Sequence, residues 1–406
     1  MLKSRYKVIG TCFAAVLFMT LMFVTKGYEQ AWELWNIPPM TPHFSDLRVI
    51  THGAESYAAG LDPMLDNPAD PWQRKLNYPR VWQMLYPLGI NASHTTALGI
   101  IIILSFLAGL CLALPDLENR TLLLLIAVLL SPATLLGVER ANIDLLMFFL
   151  VALSLVAGQW SLVSAMLVLL AGFALKLFPI FGWAMLVRTG KSRFVKFTGI
   201  ALFLVGLHLV STARDLQVIS EGTPRSTFLS YGMNVYWMAL SEAHPDQAAL
   251  VKTFAYIGAP LIIVLALSAL FRRSSLPEPA ADSLPLDAFR SGAAIYVGTF
   301  LLGNNWDYRL IFLILTLPQL VVWAKLPGRL ALLVKVIIAA TLLSCWHMLI
   351  VKLLRPVDNG YLLSLTLDEL ANWTLFAGLA WLLFWTAPVW LKELARKLLP
   401  ATRQPA

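Results

Sequence analysis

Apolar runs long enough to cross a lipid bilayer recur along almost the whole chain, beginning with residues 8–24, 96–114 and 121–136. A span needs about 20 mainly apolar residues. Inside hydrocarbon each backbone N–H and C=O must find its partner within the protein, which such runs achieve as helices. The 406 residues are 58% hydrophobic and only 13% charged, with a mean hydropathy of +0.71, whereas soluble domains carry about 25% charged residues. No soluble domain of useful size is left over. The expected fold is an all-α polytopic membrane protein, a single integral membrane domain over residues 1–406.

Cys12, Cys111 and Cys345 each fall inside an apolar run and read as small hydrophobes, neither disulfide partners nor zinc ligands. The first run follows Lys3, Arg5 and Lys7, and no small-residue cleavage site follows it, so it reads as an anchoring helix. Short cytoplasmic loops are enriched in Lys and Arg. Placing the N-terminus, "RTGKSRFVK" from Arg188, "FRRSS" from Phe271, "KLPGR" from Lys325 and "KELARK" from Lys392 in the cytoplasm gives one consistent threading. Helices are then predicted near 8–25, 95–114, 121–137, 143–158, 197–212, 253–271, 291–303, 310–324, 330–350 and 371–391. Residues 161–187 start and end on the cytoplasmic side, so they form a short hairpin with "LKLFP" at its outer tip. The bundle comprises about ten to thirteen spanning or re-entrant helices. The formal charge of +8 is a topogenic and lipid-headgroup signal, and nothing points to nucleic acid.

Residues 272–290, rich in Pro, Ser and Ala, read as a cytoplasmic linker. Longer connections fall outside: 26–94, 213–251 and 351–370. In the first, Ser45 or Asp46 is placed to cap a helix running to about Ala59, with Val49, Ile50 and Tyr57 facing lipid or protein; Gly60 and Pro63 then stop it. Trp32, Trp35, Trp72, Tyr78, Trp82 and Tyr86 suit an interface where one ring edge is wet. No convincing internal repeat is present.

Polar residues gather on this outer side. "GVERANID" brings Glu139, Arg140, Asn142 and Asp144 between two helices, spaced for an Arg140–Asp144 pair at i,i+4 and a Glu139–Asn142 contact at i,i+3. Lys176 lies at the tip of the next hairpin. "GNNWDYR" adds Asn304, Asn305, Asp307 and Arg309 at the outer end of a later pair. Ionisable groups at membrane depth are costly and mark a functional cavity by default.

Taken in order, "SDLRV", "GLDP", "NYPRVWQMLYPLG", "ERANIDLLMFFLVALSL" and "AGFALKLFPIF" resemble the membrane glycosyltransferases of the C-type superfamily. Glycosyltransferase family 87, the polyprenyl-phosphate-sugar-dependent mannosyltransferase-like group, is the nearest resemblance. It covers residue 1 to about 190 in motif order, with a weaker match in "GNNWDYRLIFLILTLP". The resemblance implies an enzyme of the bacterial inner membrane that takes a mannose-like hexose or a pentose from a polyprenyl-phosphate donor. It would pass that sugar to a glycan or lipid hydroxyl on the outer face. Asp46 matches the family's acidic residue just after the first helix and is the expected general base. Lys176 and Arg309, with Arg140, are the expected contacts to the donor phosphate. Glu139, Asn142, Asp144, Asn305, Asp307 and Tyr78 are expected around the sugar or the acceptor.

The residue types suit that chemistry, since an acceptor hydroxyl needs a carboxylate to take its proton and a departing phosphate needs cations. Each also has a plainer use: Asp46 as a helix cap, Lys176 as a headgroup-seeking side chain, the 139–144 cluster as interhelical glue, Asp307 and Arg309 as a mutual pair. His52 and Asp62 are weaker candidates, Asp62 fitting turn chemistry before a proline. No His or Cys cluster suggests zinc and no cofactor is firmly implied; magnesium or manganese held by Asp and Glu stays open. A secondary transporter or lipid-linked-sugar flippase, which should show repeated halves and midplane polar groups, and a non-catalytic membrane assembly protein are the alternative readings.

Overall fold

The computed structural model describes residues 2–114, 117–241, 244–271 and 283–398. The structure is 78% helical, and among the described residues the strands are a single pair of two residues each. The helices are α1 (Leu2–Lys26), α2 (Tyr28–Leu34), α3 (Ser45–Ala58), α4 (Thr95–Ala113), α5 (Asn119–Leu129), α6 (Pro132–Arg140), α7 (Asp144–Ala157), α8 (Leu162–Leu175), α9 (Lys191–Ser211), α10 (Ala213–Gly222), α11 (Val235–Leu240), α12 (Pro245–Leu267), α13 (Leu284–Leu301), α14 (Leu317–Ala324), α15 (Arg329–Leu354), α16 (Gly360–Trp385) and α17 (Val389–Leu398). Tight 3-10 turns cover Arg80–Leu88, Phe178–Thr189 and Asp307–Thr316.

Among the described residues, six helical segments are long and apolar enough to cross a membrane, or eight if the bent pairs α5–α6 and α16–α17 each count as one span. At 14 residues each, α7 and α8 rise only about 21 Å against a hydrocarbon core of about 30 Å. Both are tucked against longer neighbours, α7 on α4 and α8 on α7 and on Phe178–Thr189. The exposed faces are apolar: Phe203 is 70% and Val210 79% exposed on α9, and Val264 62% on α12. Apolar surface on this scale belongs against lipid. The centre is α13, enclosed by Phe178–Thr189, Asp307–Thr316 and α16, with Phe300 stacked on Phe376 at 4.6 Å and Tyr231 on Tyr296 at 5.2 Å between ring centroids.

The basic clusters within the described residues share one end of the bundle. There Lys7 donates to the Leu117 carbonyl and Asn119, and Lys325 pairs with Glu118. Arg188 donates to the Gly158 carbonyl and pairs with Asp287. Asp46, Arg140, Lys176 and Arg309 gather at the opposite end, where α3 lies.

Four expectations change. The linker predicted for 272–290 lies partly outside the described residues, and its last part is helix from Leu284, where Asp287 and Arg290 are buried. Ser283 and Pro285, part of the composition that reads as linker, instead occupy the cap and first turn of that helix, where proline is tolerated. The last span was placed at 371–391 and the preceding 351–370 in a loop, yet α16 runs from Gly360 to Trp385 and α17 follows at 93°. Asp368, Glu369 and Asn372 interrupt the apolar pattern, and Asp368 and Asn372 face the bundle interior. The span predicted at 121–137 is bent by 53° where Pro132 starts α6. Finally, neither Ser45 nor Asp46 caps α3: the cap position is Phe44, in the left-handed region, and no side chain closes it.

Candidate functional site

The site is built from chain breaks. α6 ends at Arg140 because Ala141 turns left-handed, with φ 44° and ψ 45°, and α7 begins at Asp144. The break removes the i,i+4 register expected for Arg140 and Asp144, so they do not pair. Arg140 instead pairs with its neighbour Glu139 at 3.0 Å and donates to Ser45 Oγ and the Pro38 carbonyl. Glu139 accepts from the Met40 backbone N–H at 2.9 Å. Both side chains thereby fix the irregular stretch 37–40.

Asn142 sits in the break and joins the remaining parts. Its Nδ2 donates to Asp46 Oδ2 at 2.5 Å, and its Oδ1 accepts from Lys176 Nζ at 3.3 Å and from the Asp144 backbone at 2.9 Å. Three bonds of mixed polarity set which way the amide points. Asp144, fully buried, then takes Lys176 Nζ at 2.5 Å on one oxygen and Arg309 Nε at 2.8 Å on the other. Arg309 continues to Asn305 Oδ1 at 2.5 Å and lies 4.2 Å over the Phe178 ring. Asp46, Asn142, Asp144, Lys176, Arg309 and Asn305 therefore form one connected chain. Arg309 does not pair with Asp307.

Each break has a local cause. Lys176 is extended between α8 and the turn opened by Pro179; Gly172 allows that hairpin to close, since a Cβ there would stand 3.2 Å from Pro179. Gly303, at φ 103°, releases the chain from α13 into the strand Asn305–Trp306. That strand pairs antiparallel with Ser230–Tyr231, Ser230 opposite Trp306 and Tyr231 opposite Asn305. Further bonds from Asn304 to the Ser226 carbonyl, Trp306 Nε1 to Pro224 and the Asp307 N–H to Leu229 stitch the 213–251 connection to the site.

Two adjoining compartments of about 200 Å³ each open over this chain. One is lined by Asp46, Arg74 and Arg140, the other by Lys176, Arg309, Asn304, Asn305 and Phe178; Asn77, Tyr78, Thr223, Trp306 and Tyr308 line both. The Asp46 side chain is 22% exposed, and Arg74 Nη1 lies 4.0 Å from its Oδ1. Arg74 is held by Asp70 and the Ser45 carbonyl. Burial, then the carboxylates of Asp46 and Asp144, push the Tyr78 phenol well above its ordinary range, so it stays protonated beside Asn142, whose Nδ2 donates to its hydroxyl at 3.5 Å. The Lys176 ammonium stands 4.9 Å over the Tyr78 ring, a cation–π arrangement.

Of the residues predicted from sequence, Asp46, Tyr78, Arg140, Lys176, Asn305 and Arg309 line a compartment; Glu139, Asn142 and Asp144 lie behind the wall and position them. Asp307 does neither: it is 2% exposed and its Oδ2 has no hydrogen-bond partner among the described residues. His52 is buried in α3, lowered by burial and by Arg48, and bonded to the Arg48 carbonyl. Asp62 accepts from the Met64 N–H, as turn chemistry requires, and pairs with Arg80. Sequence reasoning missed Arg74, Trp306 and Tyr308 as wall residues, although the last two stand inside the quoted "GNNWDYR". It also missed a second buried group, His347 and Asp368 at 3.7 Å, in helices α15 and α16. Among the described residues no group of three or more His, Cys, Asp or Glu could hold a metal ion.

No family model, curated protein or solved structure matches the chain. The functional reading therefore stands on the site.

Proposed function

We propose that the chain is a membrane glycosyltransferase of the C-type superfamily, resembling family 87. It moves a mannose-like hexose or a pentose from a polyprenyl-phosphate donor to a glycan or lipid hydroxyl, at the outer face of a bacterial inner membrane. The carrying observation is the pair of adjoining compartments, one with a partly exposed carboxylate and the other with two cations, joined beneath by Asn142 and Asp144.

The acceptor hydroxyl sits in the Asp46 compartment. Asn142 occupies Asp46 Oδ2, so Oδ1 takes the hydroxyl proton. As the acceptor oxygen bonds to the anomeric carbon, the bond from that carbon to the phosphate oxygen breaks and the phosphate leaves with the electron pair. Lys176 and Arg309 share one counter-ion, Asp144, and so present a net positive charge to the leaving group. A fixed cation in a site shielded from water stabilises such growing charge more than solvent does.

The test is transfer from a polyprenyl-phosphate sugar by purified protein in nanodiscs. Asp46→Asn removes the proton acceptor, keeps the shape and removes no cap, since Asp46 caps nothing. Thermal stability should stay near wild type while transfer falls by about 10²-fold or more. Transfer within a few-fold of wild type would eliminate Asp46 as the base.

The transporter reading has one observation in its favour, the buried His347–Asp368 pair between two of the long apolar helices. Proton-driven uptake of a lipid-linked sugar into proteoliposomes, abolished in Asp368→Asn and preserved in Asp46→Asn, would select it.

A further inference from the structure

We propose that a cavity of about 740 Å³ between α2, α15 and the start of α16 binds the headgroup of an anionic glycerophospholipid. The proposal does not rest on the transferase reading. The cavity is larger than either compartment of the candidate site and carries two cationic side chains, Lys352 and Arg355, against one acid, Glu33. The Lys352 ammonium is steered into place by the Glu33 backbone carbonyl, to which it donates at 2.6 Å, and so keeps donors for a phosphodiester. Arg355 is exposed and makes no hydrogen bond or ion pair among the described residues; its planar fork suits phosphate oxygens.

The remaining surface is amphipathic in the right order. Phe228 and Tyr361 line the cavity beside Pro38, offering an apolar wall to the glycerol backbone. A free anion would use the cations but has no need of that wall.

The location gives such a lipid a role. Residues 37–39 line this cavity, while Met40 lines the Asp46 compartment. The same stretch is held from the other side by Arg140 on the Pro38 carbonyl and Glu139 on the Met40 N–H. A bound headgroup would brace one wall of the candidate site from behind.

Full-length protein, delipidated in detergent, should be titrated with phosphatidylglycerol, phosphatidylcholine or inorganic phosphate, with bound lipid counted by native mass spectrometry and melting followed on the same samples. One phosphatidylglycerol should be retained about tenfold more tightly than phosphatidylcholine and raise the melting temperature. Arg355→Gln, which removes no internal contact, should lose about tenfold in that retention, the scale of one charge-assisted hydrogen bond. Lys352→Gln/Arg355→Gln should lose the preference altogether while melting like delipidated wild type. Equal retention of both lipids, unaltered retention in Arg355→Gln, or full displacement of phosphatidylglycerol by millimolar phosphate would each overturn the proposal, the last by making the site one for a free anion.

Discussion

Asp144 is fully buried, and each of its oxygens holds one cation, Lys176 at 2.5 Å and Arg309 at 2.8 Å. Removing one partner of a buried ion pair costs about 3–5 kcal/mol because it strands the other charge. Asp144→Asn strands two, so it should lower thermal stability sharply. Lys176→Met leaves Asp144 with Arg309 and keeps an apolar stem of similar length, so stability should fall less. If the proposed function holds, donor affinity should fall with it. Melting of the two purified variants gives the order; a Lys176→Met protein less stable than Asp144→Asn would remove Asp144 from its central place. Residue types and rough neighbourhoods in this cluster were readable from spacing. The partners were not, because spacing rules assume an unbroken helix and the helix breaks at Ala141.

That break is itself an element-scale device. Ala141 holds φ 44° with no exposed surface, a conformation that costs an L-residue about 1–2 kcal/mol and a β-branched one more. Ala141→Val should therefore destabilise the protein and, if the proposed function holds, depress transfer by shifting Asn142. Ala141→Gly should melt close to wild type, since relief of the backbone offsets loss of a buried methyl. Equal melting of the two variants would show that the left-handed turn is not what sets the break. A second device is the fork made by Arg80, bonded to Asp62 in the first connection and Asp215 in α10. The residues just beyond α10, Thr223 and Pro224, roof the candidate site. Arg80 is 43% exposed, so the fork is worth under about 1 kcal/mol and is screened by salt. Arg80→Gln should leave melting almost unchanged yet speed hydrogen exchange in α10, and high salt should speed exchange in the wild type. Unchanged exchange in both would show that α10 is held by its packing alone.

At the scale of the whole molecule, the basic clusters at one end and the compartments at the other make orientation testable by labelling. In a background lacking Cys12, Cys111 and Cys345, a cysteine at Leu65, 60% exposed beyond α3, should react with an impermeant maleimide from outside the cell. One at Lys191, at the basic end, should react only after permeabilisation; the reverse pattern would place the site in the cytoplasm and remove the outer-face reaction. Apolar runs were enough to predict an all-helical bundle with several helices apolar enough to cross a membrane, because that signal is local and the bilayer imposes it on each helix separately. They also marked which polar segments stand out from the lipid-facing sequence. Tertiary structure alone decided that Asn142 links Asp46 to Lys176 and Asp144, that Asp307 is buried away from the cavities, and that α16 begins at Gly360 despite its acids. Those outcomes depend on which helix faces which across the bundle and on how buried charges find distant partners, information that no single stretch of sequence carries.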